Sequence, residues 1–247
     1  ALPLPVAILV IALVCPTELS IYAGSLRLPP HRLALIVFLV PALMRLAAGN
    51  GARIAAYDYL FLLYNLWTVV VFTIHLGFVD GIEFAGALAL ESFGGYVVAR
   101  AYVRDYESFR ATLRFLLLAM VAVAVLAIPE SVFGQLYVHD LMQSLTGYDH
   151  PRGIEARMGL TRAYATFDHP ILYGTFCSCL FAMAWFTAGG TGDRLQRGGA
   201  VAFATLLGVS SAPLLCIAVQ LGMIGYERLT RHMRGRTELL LLGVLVI

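Results

Sequence analysis

"TLRFLLLAMVAVAVLAIP", residues 112–129, carries one charged side chain, Arg114. At 1.5 Å per residue it is long enough to cross most of a hydrocarbon layer about 30 Å thick. Comparable apolar runs recur at about 2–22, 33–48, 57–76, 83–101 and 170–188, followed by a longer stretch at 198–225 and a further run from 238. Within a bilayer every backbone N–H and C=O must be satisfied inside its own segment, so runs of this length form helices rather than barrel strands. The expected fold is all-α, a polytopic transmembrane bundle of about seven to nine crossing or half-crossing helices. It forms one transmembrane domain over 1–247, and residues 130–169 make a long outer loop within it.

Composition agrees. The 247 residues are 60% hydrophobic and 13% charged, with a mean hydropathy of +0.82, far from a soluble domain. The chain begins at Ala1 inside apolar sequence and stops within "LLLLGVLVI", so it reads as a piece of a longer protein, truncated at its C-terminus. Cys15, Cys177, Cys179 and Cys216 all fall in apolar runs and read as small packing residues. Cys177 and Cys179 are two apart and point to different sides of a helix, which argues against a metal pair.

Arginines set the orientation, because short cytoplasmic loops collect basic residues. The basic connections are 100–114, 189–198 and 226–237. With these inside, Arg45 and Arg53 are also inside, the loop Glu130 to Asp168 is outside, and Arg27 and Arg32 fall outside against the usual bias. The stretch 198–225 then has a cytoplasmic loop at each end and crosses an even number of times. "GVSSAPLL", residues 208–215, interrupts it, giving either two short helices meeting in a broken turn or a bent pair of ordinary helices. In the outer loop, Val132, Phe133, Leu136, Tyr137, Leu141 and Leu145 recur at helical spacing beside Gln135, His139, Asp140 and Gln143, the pattern of an amphipathic helix on the membrane surface.

The chemistry concentrates near "RAYATFDHPILYG", residues 162–174. Arg152, Arg157 and Arg162 gather in the outer loop with His150 and His169. A guanidinium keeps its charge and offers a planar fork of donors that matches phosphate oxygens, which suits a lipid-linked pyrophosphate at the membrane edge. The competing reading pairs these arginines with Asp149, Glu155 and Asp168 on a solvated loop. Pro170 fits the first turn of a helix, with Thr166 and Asp168 placed to cap it and His169 projecting at the mouth as a hydrogen-bonder or a base.

Glu83 and Glu91 share the fourth run, and eight residues on a helix rotate by about 80°, so they face neighbouring sectors. An intramembrane carboxylate such as Glu91 is either functional or held in a structural ion pair, with close helix contact at Gly94 and Gly95. His139–Asp140 and Asp149–His150 lack the spacing of metal ligands, and no glycine-rich nucleotide loop follows a strand.

"RAYATFDHPILYGTFCSCLFAMAW", residues 162–185, resembles the O-antigen ligase and polymerase-like family of bacterial polysaccharide membrane proteins at Arg162, Ala165, Thr166, Phe167, His169, Pro170 and Gly174. "ESFGGYVVARAYVRD", residues 91–105, and "GVSSAPLL" resemble two further family segments. The sequence departs from the family at Ala165, where glycine is common, at Ile171, where asparagine is frequent, and at Ser211-Ala212, which replaces a Ser-Arg step.

The resemblance implies a metal-independent enzyme without a nucleotide or other cofactor. It would move or polymerise an undecaprenyl-pyrophosphate-linked glycan onto a lipid or glycan acceptor at the periplasmic face of the bacterial inner membrane. Its partners would be membrane lipids, that donor and that acceptor, with no nucleic acid. Arg162, Arg157 and His169 are the catalytic candidates. Arg152, Thr166, Asp168, Gly174, Glu91, Ser210 and Ser211 are the substrate-binding candidates. In that family a later outer loop usually supplies a histidine as general base, so His169 shapes or binds rather than serving as the base. Two other readings stand beside this one: a transporter working through Glu83 and Glu91, and a non-catalytic membrane subunit.

Overall fold

Asp105 starts the longest helix by accepting a hydrogen bond from the Ser108 N–H at 2.8 Å, which satisfies one of the free donors of the first turn. The helix, α6, runs over Tyr106–Phe133, passes through Pro129, and ends where Gly134 turns left-handed at φ 73°. The computed structural model that shows this describes residues 1–24, 26–148, 153–157, 159–233, 235–238 and 240. Before α6 come α1 (Leu4–Val14), α2 (Pro30–Ala47), α3 (Ala56–Leu76), and α4 (Phe78–Ala89), which continues through a π turn at Leu90–Gly94 into α5 (Gly95–Tyr102). After it come α7 (Tyr137–Thr146), α8 (Pro170–Ser178), α9 (Phe181–Thr187), α10 (Thr191–Leu207) and α11 (Ser211–Thr230).

The all-α expectation holds, with two short additions. β1 (Ile21–Ala23) pairs antiparallel with β2 (Leu26–Leu28), setting Tyr22 opposite Arg27. β3 (Ala156–Arg157) pairs with β4 (Leu160–Thr161). Both hairpins connect helices rather than span.

Five helical segments among the described residues are long and apolar enough to cross a membrane: Pro30–Ala47, Ala56–Leu76, Phe78–Tyr102, Tyr106–Phe133 and Pro170–Thr187. The expected seven to nine is not reached on that criterion. Helix α1 has 11 residues, about 16 Å of helix, half the hydrocarbon thickness. Helices α10 and α11 carry polar ends, with Asp193, Arg194 and Arg197 on one and Glu227 and Arg228 on the other.

The helices nonetheless alternate between two ends. At the basic end, Arg100 binds Asp58 at the start of α3, Arg45 donates to the Ala101 carbonyl, and Ala1 and Pro3 line a cleft with Arg45, Tyr102 and Arg104. At the opposite end meet Thr17 and Asp168, Glu18 and His139, and Ala163 and Leu207. The break predicted at "GVSSAPLL" separates α10 from α11 at Gly208–Ser210, with Val209 at φ 39°.

Two cores hold the bundle. The larger joins α6, α8, α9, α10 and α11 around Met120, Tyr173, Cys177 and Val201. The smaller joins α1, α2 and α5 around Val10, Leu35 and Val98. Helices approach closely at small residues, as expected where packing rather than water exclusion drives association. A Cβ on Gly81 would lie 2.5 Å from the Thr73 Cα, and one on Gly174 would lie 2.8 Å from the Pro213 Cγ. Helix α3 leaves Leu60, Leu63, Trp67 and Ile74 exposed, the apolar outer surface that a bilayer requires and water would penalise.

Candidate functional site

The segment 162–169, between β4 and α8, is fixed from three sides. The Arg162 N–H donates to the Glu155 carbonyl at 3.0 Å, extending the hairpin, and the Ala163 N–H donates to the Leu207 carbonyl at 3.0 Å, at the end of α10. Glu130, fully buried in the last turn of α6, accepts from the N–H groups of Tyr164 and Ala165 through one oxygen, Oε2, at 3.0 and 2.8 Å. A short turn follows, closed by the Phe167 N–H on the Tyr164 carbonyl. Ala165 takes φ 52°, a left-handed conformation that costs a non-glycine residue about 1–2 kcal/mol. The glycine that the resembling family favours there would relax it.

This anchoring buries Arg162. Its Nη1 donates to Glu155 at 2.6 Å, and the two side chains differ sharply in exposure, 7% for the arginine and 56% for the glutamate. Arg162 Nε has no hydrogen-bond partner among the described residues. Arg157 lies on β3 with its side chain in solvent, 3.5 Å from Glu155. The hydrogen bond from Arg162, together with the charges of Arg162 and Arg157, holds Glu155 below the usual carboxylate range. The competing reading at the sequence level, an arginine paired with Glu155, is therefore what the resting structure displays, but the pair joins a buried cation to an exposed anion.

Other buried polar atoms belong to this segment or to the end of α6 and α7, where Glu130 meets Tyr164 and Ala165 and His139 meets Tyr164. Glu130 Oε1, Ser131 Oγ, His139 Nε2 and Thr166 Oγ1 are also without partners among the described residues. Each such group forgoes solvation worth about 1–3 kcal/mol. His139 Nδ1 lies 2.5 Å from Glu18 in a buried pair, and Tyr164 stands edge-on to both His139 and His169 at 6.0 and 6.2 Å. His139 was expected on the polar face of a surface helix; helix α7 turns it inward onto Glu18. Val132 and Phe133, assigned to the same amphipathic helix, belong to the end of α6.

The remaining candidates divide. Pro170 begins α8 as expected, but its cap is His169, whose Nδ1 accepts from the Ile171 N–H at 3.1 Å. Accepting at Nδ1 puts the proton of the neutral ring on Nε2, so His169 presents a donor outward rather than a base. Asp168 instead accepts from Thr17 at 2.5 Å and from Arg27 at 3.2 Å, tying the site to the β1–β2 hairpin. Thr166 is buried near Glu130 and does not cap.

Gly174 serves the contact of α8 with Pro213 of α11. Ser210 is buried at the helix break while Ser211 is exposed. Arg152 lies outside the described residues, as do Asp149 and His150. Glu91 sits in the π turn, apart from Arg162, held by Arg32 at 2.6 Å and His31 at 3.1 Å. The arginines that broke the orientation rule, Arg27 and Arg32, are thus each matched to a carboxylate.

Sequence reasoning passed over Glu130, Glu18 and Arg27. The signal at Glu130 was a carboxylate directly after "LAIP", where the apolar run was taken to end. Glu18 and His139 are joined across 121 positions, a pairing no local pattern reveals. Comparison of the chain with protein-family models, with curated proteins and with solved structures found no match to any of them.

Proposed function

We propose that this chain is the membrane-embedded part of a glycan transferase that uses an undecaprenyl-pyrophosphate-linked donor at the periplasmic face of a bacterial inner membrane, as an O-antigen ligase or polymerase does. Helices α1, α10 and α11 would join the five long apolar segments in the bundle. The observation that carries the reading is Arg162: a buried guanidinium at the end of the bundle, with one polar edge unpartnered and the other bound to a carboxylate exposed on a hairpin.

In such a transfer an acceptor hydroxyl attacks the anomeric carbon and gives its proton to a general base, the bond to the pyrophosphate oxygen breaks, and negative charge builds on the departing lipid pyrophosphate. A preorganised cation there stabilises that charge more than it stabilises the intact donor, and so lowers the barrier. Arg162 has the burial for this task, and Glu130 has the contacts to hold its segment in place. Arg157, exposed on β3, is positioned to meet the outer phosphate. His169 contributes an outward N–H donor to the donor or acceptor sugar. The transporter reading rests on Glu83 and Glu91, and the hold of Arg32 and His31 on Glu91 weakens it.

The test is transfer by the full-length protein in vesicles supplied with a polyprenyl-pyrophosphate-linked glycan and an acceptor. Arg162→Ala inserts and folds but loses at least about 100-fold in turnover, the usual scale for removing one charge-stabilising donor. Turnover equal to the unaltered protein would remove the proposal.

A further inference from the structure

A cleft of about 520 Å³ opens at the basic end of the bundle, where α1 and α6 begin and α2 and α5 end. Arg45, Tyr102, Arg104, Asp105 and Ser108 line it. Arg45, in the last turn of α2, is held in a set direction. Its Nε donates to the Ala101 carbonyl at 3.1 Å, and its guanidinium carbon lies 5.3 Å from the centre of the Tyr102 ring. One edge of the guanidinium plane is thereby used and one face covered. Neither Nη1 nor Nη2 has a partner among the described residues. Arg104 gives its main-chain N–H to Ser108 Oγ at 3.2 Å, and its side chain is likewise without a partner among the described residues.

The carboxylate in the cleft is committed elsewhere. Asp105 caps α6 by accepting from the Ser108 N–H at 2.8 Å, and Arg100, at the same end, is matched to Asp58. The cleft therefore sets two unmatched guanidinium groups against one capping carboxylate. A guanidinium edge with two parallel N–H donors fits the oxygens of a phosphate. The cleft lies at the ends of α2 and α6, both long and apolar enough to cross a membrane, and basic pockets at such helix ends take lipid headgroups. A choline or ethanolamine headgroup brings a cation of its own, which two arginines repel. A phosphoglycerol headgroup brings hydroxyls, which donate to Asp105 instead.

We infer that this cleft is a binding site for the phosphate of an anionic membrane phospholipid, held by the free edge of Arg45 and by Arg104. The full-length protein is extracted from nanodiscs of equal phosphatidylglycerol and phosphatidylcholine, and its retained lipid is counted by native mass spectrometry. The expected result is phosphatidylglycerol held about tenfold over phosphatidylcholine, below the full worth of two arginines at a membrane surface because both are exposed. Arg45→Gln with Arg104→Gln abolishes that preference. Arg110→Gln with Arg114→Gln removes as much charge from the same end outside the cleft lining and leaves the preference in place.

Ala52 also lines the cleft, with its N–H on the Arg100 carbonyl at 3.0 Å. Ala52→Trp fills the space while leaving every charge in place, and it keeps the test sharp if the arginine variant folds poorly. Arg162→Ala, at the opposite end, retains the preference, which separates this site from the transfer reading. An excess of inorganic phosphate leaves the retained lipid bound; displacement would overturn the lipid as the source of the phosphate. Equal retention of the two lipids by the unaltered protein, a preference that survives both the arginine variant and the filled cleft, or one lost equally without Arg110 and Arg114, overturns the inference.

Discussion

Arg100, in the last turn of α5, and Arg162, in the segment after β4, are used in opposite ways. Arg100 spends its donors inside the fold: Nε and Nη2 reach Asp58 at 3.1 and 2.9 Å, and Nη2 also reaches the Arg53 carbonyl at 2.6 Å. Asp58 in turn accepts from Tyr96 and from the Ala55 N–H at the start of α3, and the Tyr57 ring lies 5.2 Å from the guanidinium. Arg162 is more deeply buried but less committed: among the described residues its guanidinium has one partner, Glu155, that is itself largely in solvent, and its Nε has none. A buried charge without full compensation lowers stability. The contrast separates an arginine that closes a loop onto a helix from one that, on the proposed function, is kept for an incoming anion.

Several substitutions break or sharpen this contrast. The largest expected loss of stability is at neither arginine but at the anchor of the second. Glu130→Ala strands the N–H groups of Tyr164 and Ala165 in a buried place and costs about 2–5 kcal/mol, measured by reversible unfolding in detergent. Glu130→Gln keeps an acceptor oxygen and loses much less. If the two variants unfold alike, charge rather than hydrogen bonding holds the segment.

Next comes Arg100→Ala, which leaves Asp58 without its cation and costs about 3 kcal/mol. Arg162→Ala follows at about 1 kcal/mol, because its lost partner is exposed and salt bridges of that kind are weak. An Arg162 variant less stable than the Arg100 variant would reverse the assignment of roles.

The smallest effect is a pH dependence. Glu155 titrates below its ordinary value because it is bound to Arg162, so its contribution is fully present above about pH 4.3, the ordinary glutamate value, and fades as pH falls through the lower folded value. Protection from amide exchange across residues 153–157 and 159–162, taken relative to the intrinsic rate at each pH, should fall in that acidic window and be independent of pH in Glu155→Gln.

The helices were legible because hydropathy and length are local properties; Pro170 at a helix start and the break at Gly208–Ser210 were legible for the same reason. The end of α6 was misplaced by four residues, from Pro129 to Phe133, because a proline inside an apolar run does not say whether neighbours will re-satisfy the freed backbone. That shift placed Glu130 inside the helix, where it becomes the anchor of the site.

Orientation from arginine loops left Arg27 and Arg32 outside as exceptions without a reason for them. It counts basic residues one at a time, whereas Asp168 and Glu91 reach them across 141 and 59 positions. The candidate arginines themselves were visible in sequence. What distinguishes Arg162 from Arg157, burial against exposure, depends on contacts with α6 and α10.

The measurement that bears most directly on the central claim is binding of a polyprenyl pyrophosphate without its glycan to the full-length protein in nanodiscs, compared across Arg162→Ala, Arg157→Ala and Glu155→Gln. The account predicts that Arg162→Ala weakens binding at least about 100-fold, that Arg157→Ala weakens it about tenfold or less, and that Glu155→Gln strengthens it by freeing the guanidinium. Binding that is indifferent to Arg162, or that weakens when Glu155 is neutralised, would contradict it.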